Sequence, residues 1–151
     1  MEKDISRIVN YYVKQCGSRD PFDIAEYLKV EMQIGPLGSR CGCYMYLKRH
    51  RCIFINDNLS ESDKRLVAAH ELGHAILHQH ENCYFMRNYT LLLTSKIERE
   101  ANLFAADLLI PDEAIIEAID RGYTVRQLAR MVGYCEEFVE LRLKHTNLNG
   151  Q

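Results

Sequence analysis

The run SESDKRLVAAHELGHAILHQH, Ser60 to His80, reads as one amphipathic helix, and the rest of the chain is arranged around it. Ser60 is a natural N-cap, and Asp63 three residues later comes close to the capping-box pattern. Leu66, Val67, Ala69, Ile76 and Leu77 supply a face to bury. Within the run stands His70-Glu71-Leu72-Gly73-His74. Residues four apart on a helix share a face with Cβ atoms roughly 5–6 Å apart, so His70 and His74 can aim ring nitrogens at one point. Two neutral imidazoles so placed suit Zn²⁺, which takes nitrogen at about 2.0–2.1 Å in tetrahedral sites. Glu71 flanks the same point, where a carboxylate can take a proton from a metal-activated water during peptide hydrolysis. Five-residue matches of this kind arise by chance, and a histidine pair is often only a surface feature. The capped helix, its apolar flanks and an acidic helix downstream weigh toward a metal site. Gly73 costs about 1 kcal/mol relative to Ala in a helix interior, and its expected use is close approach by another element or a ligand.

A chain of 151 residues fits one domain with a single core, Met1 to Gln151, including the helical segment 112–146. A formal charge of −2 offers no general attraction for nucleic acid. The opening residues MEKDISRIVNYYVKQCG are amphipathic and acidic from the second position. They resemble neither a signal peptide nor a membrane span, which predicts a cytoplasmic protein that does not engage a membrane. In that compartment the six cysteines are expected as thiols. Cys41, Cys43 and Cys52 do not have the spacing of a zinc knuckle.

Ahead of the central run, Ile5, Ile8, Val9, Tyr12 and Val13 have helical spacing over Asp4 to Cys16. Asp20-Pro21 opens a second short helix, Phe22 to Lys29. The period then changes. Val30, Met32 and Ile34 alternate with polar residues, and Cys43 to Leu47 and Cys52 to Ile55 are rich in strand formers on either side of the basic turn Lys48 to Arg51. These predict a small antiparallel sheet of about three strands. Either Cys41–Tyr46 or Cys52–Ile55 would serve as an edge for an extended peptide. Glu81 to Thr94 lacks a clean period and is expected as a broken segment. Helices are predicted over Ser95–Leu109, Asp112–Arg121, Val125–Val132 and Glu136–Lys144, with Gly122 and Gly133 as breaks. The fold class is therefore α+β, with the sheet packed on a mainly helical domain.

A catalytic zinc needs a third protein ligand and an open position. His80 stands six residues after His74, but with Leu77 between them the helix is expected to continue and carry His80 away. His78 lies one turn beyond His74, out of reach of a metal held by the first two histidines. Glu98 and Glu100 flank the apolar stripe Ile97, Ala101, Phe104 and Leu108 on opposite sides, and periodicity does not choose between them. Tyr84, Tyr89 and His78 are candidates to support an oxyanion.

HELGHAILH followed by EREANLFAADLLIP resembles the ImmA/IrrE family of zinc metallopeptidases, as do DPFDIAEYL near the start and IFINDNLSESDKRLVAAHELGH. The resemblance runs over most of the chain and implies a zincin-like domain holding Zn²⁺. In that family the glutamate directly before Ala-Asn supplies the third ligand, which implies His70, His74 and Glu100 around the metal and Glu71 as general base. Where the family often has a polar residue before the histidine motif, this chain has Ala68-Ala69. The resemblance further implies an anti-repressor whose protein substrate is a helix-turn-helix repressor. The other reading is a non-proteolytic regulator with a structural metal, for which Glu71 would be unneeded.

Thr124 to Lys144 itself has a helix-turn-helix outline. The helix that would enter a groove begins with Glu136, Glu137 and Glu140, carboxylates that a phosphate backbone repels. A structural or protein-contacting role is expected there, without direct nucleic-acid binding.

Overall fold

A computed structural model describes residues 4–86 and 95–145. Seven helices and four strands follow in the order α1 (Ile5–Cys16), α2 (Pro21–Tyr27), β1 (Glu31–Gly35), β2 (Arg40–Leu47), β3 (His50–Asn56), α3 (Glu61–Leu77), β4 (Cys83–Met86), α4 (Lys96–Leu109), α5 (Asp112–Arg121), α6 (Val125–Val132) and α7 (Glu136–Lys144) among the described residues. The class is α+β, as the sequence patterns require. None of these helices is long and apolar enough to cross a membrane.

The sheet departs from expectation in direction and size. Its order is β1-β3-β2-β4. β2 and β3 form an antiparallel hairpin, whereas β1 lies parallel to β3, with Glu31 opposite Cys52 and Gly35 opposite Asn56. Alternation of apolar residues reports which face is buried but says nothing about direction, and β1 reaches β2 by crossing the C-terminal end of β3. Asn56 ties that passage down by donating its side-chain amide to the carbonyls of Gly38 and Arg40. The fourth strand comes from the segment expected to be broken, and β4 pairs antiparallel with β2. Both stretches expected as edges, Cys41–Tyr46 and Cys52–Ile55, are therefore interior; the edges are β1 and β4. The basic turn shortens to Lys48-Arg49, both at positive φ (51° and 67°), the geometry of a two-residue hairpin loop.

α3 is the axis of the core. Its residues from Leu66 to Ala75 are all buried, and Ser60 caps it by accepting from the Asp63 N–H. The sheet lies against one side through Cys41, Tyr44, Ile53 and Ile55, and α4 against another through Phe104, Ala105 and Leu108. Two glycines permit these approaches. A Cβ on Gly42 would fall 2.6 Å from Val67 Cγ1 and 2.8 Å from the Phe54 carbonyl oxygen. One on Gly73 would fall 3.2 Å from both Ala101 Cα and Phe104 Cβ. The interior helical glycine thus serves close packing by α4, one of the two uses expected of it.

α3 stops at Leu77 rather than running on to His80. His78, with φ −134° and ψ 50°, is its C-cap. The chain beyond is held by the Tyr44 hydroxyl, which donates to the Gln79 carbonyl at 2.6 Å. At the other end of the core, the Arg19 guanidinium donates to the Asp107 and Leu108 carbonyls at the C-terminus of α4. α5 to α7 close the helical side, where buried Arg142 donates to the Ile110 carbonyl and to Asp112.

Candidate metal centre

Where α3 and α4 press together, the two helices deliver polar groups into an apolar interior. α3 contributes His70, Glu71, His74 and His78, and α4 contributes Glu98, Glu100 and Asn102. The first three and His78 are buried, as are Glu100 and Asn102. β2 passes directly over Glu71, because Gly42 offers no side chain to hold it off. Such a cluster is costly to bury unless its members satisfy one another.

His70 and His74 do converge as the spacing demands, with ring centroids 4.9 Å apart. One carboxylate meets both of them, and it belongs to Glu98. Its oxygens lie 2.9 Å from His70 Nε2 and 3.1 Å from His74 Nε2. Glu100, which the family resemblance pointed to, is turned away and sits 2.7 Å from His78 Nε2. The helix geometry explains the exchange. Two residues are 200° of rotation in an α-helix, so Glu98 and Glu100 cannot present carboxylates to the same atoms. The contact at Gly73 orients α4 with Glu98 toward the His70–His74 pair and Glu100 toward the end of α3.

Sequence reasoning missed Asn102. It stands four residues after Glu98, on the same face, and its Oδ1 lies 2.7 Å from His70 Nδ1. If Oδ1 accepts from Nδ1–H, the lone pair of His70 is left on Nε2, directed at the Glu98 side. The available signal was the spacing of Glu98 and Asn102 within EREAN. The helical spacing puts His78 out of reach of the metal point, and its ring is engaged with His74 Nδ1 at 3.0 Å and with Glu100. It is therefore committed away from an oxyanion-supporting position. His80 is exposed and packs edge-on against Tyr46. Tyr89 and the Tyr84 side chain lie outside the described residues.

Glu71 has a different environment. It is completely buried, and among the described residues neither carboxylate oxygen has a hydrogen-bond partner. Burial, reinforced by the nearby charge of Glu98, raises its carboxyl well above the ordinary value. Burial likewise lowers the imidazole of His74, against the opposing pull of Glu98. Burial alone would raise the Glu98 carboxyl, but hydrogen bonds with His70 and His74 outweigh it and hold it far below the usual range. The Cys43 thiol is raised by burial and then by Glu71.

The donor set fits a divalent cation. Ligand atoms of His70, Glu71 and His74 lie within 4.8 Å of one another. Of the two nearby carboxylates, Glu98 is the one in contact with both rings. Tetrahedral zinc holds its nitrogen and oxygen ligands about 3.3 Å from one another, so the observed separations need to open by only a few tenths of an ångström. A cation there would also favour the ionised form of Glu71, whose carboxylate oxygens have no hydrogen-bond partner among the described residues. The thiols of Cys41, Cys43 and Cys52 form no comparable group among the described residues.

Comparison with known proteins points to a metallopeptidase family. Residues 25–144 match the family model described as the IrrE N-terminal-like domain, Peptidase_M78. The chain is 34% identical over 139 residues to an uncharacterized immunity region protein 2 of Bacillus phage phi105, covering 91% of this chain and 88% of that protein. It is 31% identical over 131 residues to the metallopeptidase ImmA of Bacillus subtilis, covering 84% and 76%. It is 32% identical over 130 residues to the radiation response metalloprotease IrrE of Deinococcus radiodurans, covering 83% of this chain but 39% of that protein.

Proposed function

The chain belongs to the ImmA/IrrE family of metallopeptidases, and from that premise we propose that it is a zinc-dependent endopeptidase that cleaves a helix-turn-helix repressor and so acts as an anti-repressor. His70, His74 and Glu98 would hold the ion, and Glu71 is the general base. The observation that carries this reading is the Glu98 carboxylate shared between two Nε2 atoms, 2.9 and 3.1 Å away, beside the buried Glu71 carboxylate, which has no hydrogen-bond partner among the described residues.

When bound, zinc supplies a Lewis acid that polarises a peptide carbonyl and makes water a better nucleophile at neutral pH. The remaining work falls to the chain. Glu71 takes a proton from the attacking water and delivers it to the leaving amine. Its apolar surroundings favour that exchange, since they leave the carboxyl ready to hold a proton. Asn102 fixes the His70 ring by accepting from Nδ1–H, so that Nε2 is the ligating atom. The sheet strands packed over Glu71 keep bulk water from that side. The phage immunity region in which one relative is named supports a repressor as the substrate class.

The test is incubation of the purified zinc-loaded protein with a candidate helix-turn-helix repressor, followed by mass spectrometry of the products. Discrete fragments are expected with zinc, and none with a chelator or with Glu71→Gln. An intact repressor held in a stable complex would instead establish the non-proteolytic regulator. Undiminished cleavage by Glu71→Gln would overturn the general-base role.

A further inference from the structure

We propose that Glu100 and His78 are positioning residues, a hydrogen-bond relay that sets the tautomer and ring orientation of His74. The inference rests on the metal assignment above and gives Glu100 a task other than ligation. Three side chains form a line. Glu100 Oε1 lies 2.7 Å from His78 Nε2, and His78 Nδ1 lies 3.0 Å from His74 Nδ1.

The direction of each bond follows from donor chemistry. With Glu100 ionised and His78 neutral, the carboxylate can only accept, so His78 Nε2 carries the proton. A neutral imidazole with Nε2–H has its lone pair on Nδ1, so His78 accepts there. His74 Nδ1 must then be the donor. With a cation between the two side chains, that leaves the His74 lone pair on Nε2 free to ligate it, on the side where Glu98 Oε2 lies 3.1 Å away. Asn102 imposes the same tautomer on His70 by accepting from its Nδ1–H. Both histidines are thereby prepared to ligate through Nε2, each by a different outer partner.

The setting strengthens the relay. His74 is 0%, His78 6% and Glu100 8% exposed, and buried chains of hydrogen bonds are stronger than exposed ones. His78 also sits at the C-cap of α3, with its N–H bonded to the His74 carbonyl at 2.7 Å. Ring and backbone therefore hold the same two residues in register. Outer partners of ligating histidines characteristically change metal affinity by about 10–100-fold when removed.

The experiment measures zinc affinity by chelator competition and the visible spectrum of the cobalt-substituted protein, with urea unfolding of the metal-free form as the control for folding. His78→Phe removes the acceptor and is expected to weaken zinc by about 10–100-fold and to shift the cobalt bands. His78→Asn places an amide oxygen where Nδ1 stood, and is expected to restore most of that affinity. Glu100→Gln keeps the shape of the chain's outer end but removes its charge, and is expected to weaken zinc severalfold. In the His78→Asn background the same change should have no effect on affinity, because the amide accepts without help from Glu100. A merely structural role would lower metal-free stability while leaving affinity and spectrum alone.

Wild-type affinity and spectrum in both Glu100→Gln and His78→Phe would overturn the relay, as would an equal effect of Glu100→Gln in the two backgrounds. Should His78→Phe not fold, His78→Asn and Glu100→Gln decide the matter by themselves. Glu98→Ala, measured alongside, separates the two levels of inference. If it binds zinc normally, the metal assignment fails; if it loses zinc while the relay variants keep it, only the relay fails.

Discussion

Gly73→Ala probes how the α3–α4 interface sets the site. The added Cβ would lie 3.2 Å from Ala101 Cα, 3.2 Å from Phe104 Cβ and 3.3 Å from the Ala101 carbonyl oxygen. Ordinary carbon contacts are about 3.5–4.0 Å, so α4 must retreat by roughly 0.3–0.8 Å. The neighbours that must yield are backbone atoms and a Cβ, with no flexible side-chain end to swing aside, so the helix moves as a unit. Replacing an interior helical glycine by alanine gains about 1 kcal/mol of helix propensity. Overpacking a core costs about 1–3 kcal/mol. The net expectation is a loss of between zero and about 2 kcal/mol. The effect on the site should be larger. Glu98 and Asn102 ride on the same helix, three residues before and one after Ala101, and functional groups must be held within about 0.5 Å of their working geometry. Zinc affinity is therefore expected to fall by roughly tenfold or more. Urea unfolding of the metal-free protein and chelator competition measure the two quantities. A variant about 1 kcal/mol more stable than wild type, with unchanged zinc affinity, would refute the claim that tight packing at Gly73 positions Glu98.

Metal analysis of Glu98→Ala and Glu100→Ala separates the two carboxylates: the first is expected to lose zinc, and the second to retain it at reduced affinity. Loss from the Glu100 variant alone would reverse the assignment. In the metal-free protein the raised Glu71 carboxyl means that the folded state keeps a proton which the unfolded state releases near the ordinary value of 4.5. The stability contributed by that proton is complete below the unfolded value and is lost as pH rises through the folded one. Relative to Glu71→Gln, metal-free wild type should lose up to about 1.4 kcal/mol per pH unit on rising above that point; parallel pH profiles in urea unfolding would exclude it. Glu136 and Glu137 open α7, and Glu136 faces Arg126 at 3.4 Å, so no sequence-specific duplex binding is expected in an anisotropy titration at physiological salt. Submicromolar binding abolished by Arg126→Ala or Arg130→Ala would contradict this.

Much of the architecture was legible in local pattern, because helix periodicity, caps and strand-forming runs are local physics. The central helix, its Ser60 cap, the convergence of His70 and His74, the proximity of Glu71 and the later helices needed no long-range information. Four residues along one helix are neighbours wherever that helix is placed. Strand direction was not legible, since alternation is the same for parallel and antiparallel pairing, and β1 acquires its partner only through the path around β3. The end of α3 was not legible either: residues after Leu77 have no glycine or proline to stop a helix, and His78 leaves helical geometry where its side chain meets Glu100. The choice between Glu98 and Glu100 lay outside the sequence for a related reason. Both flank one apolar stripe, and which flank meets the histidines depends on how α4 is rotated against α3. That rotation is set at Gly73, Ala101 and Phe104, where atoms distant in the chain come within van der Waals contact.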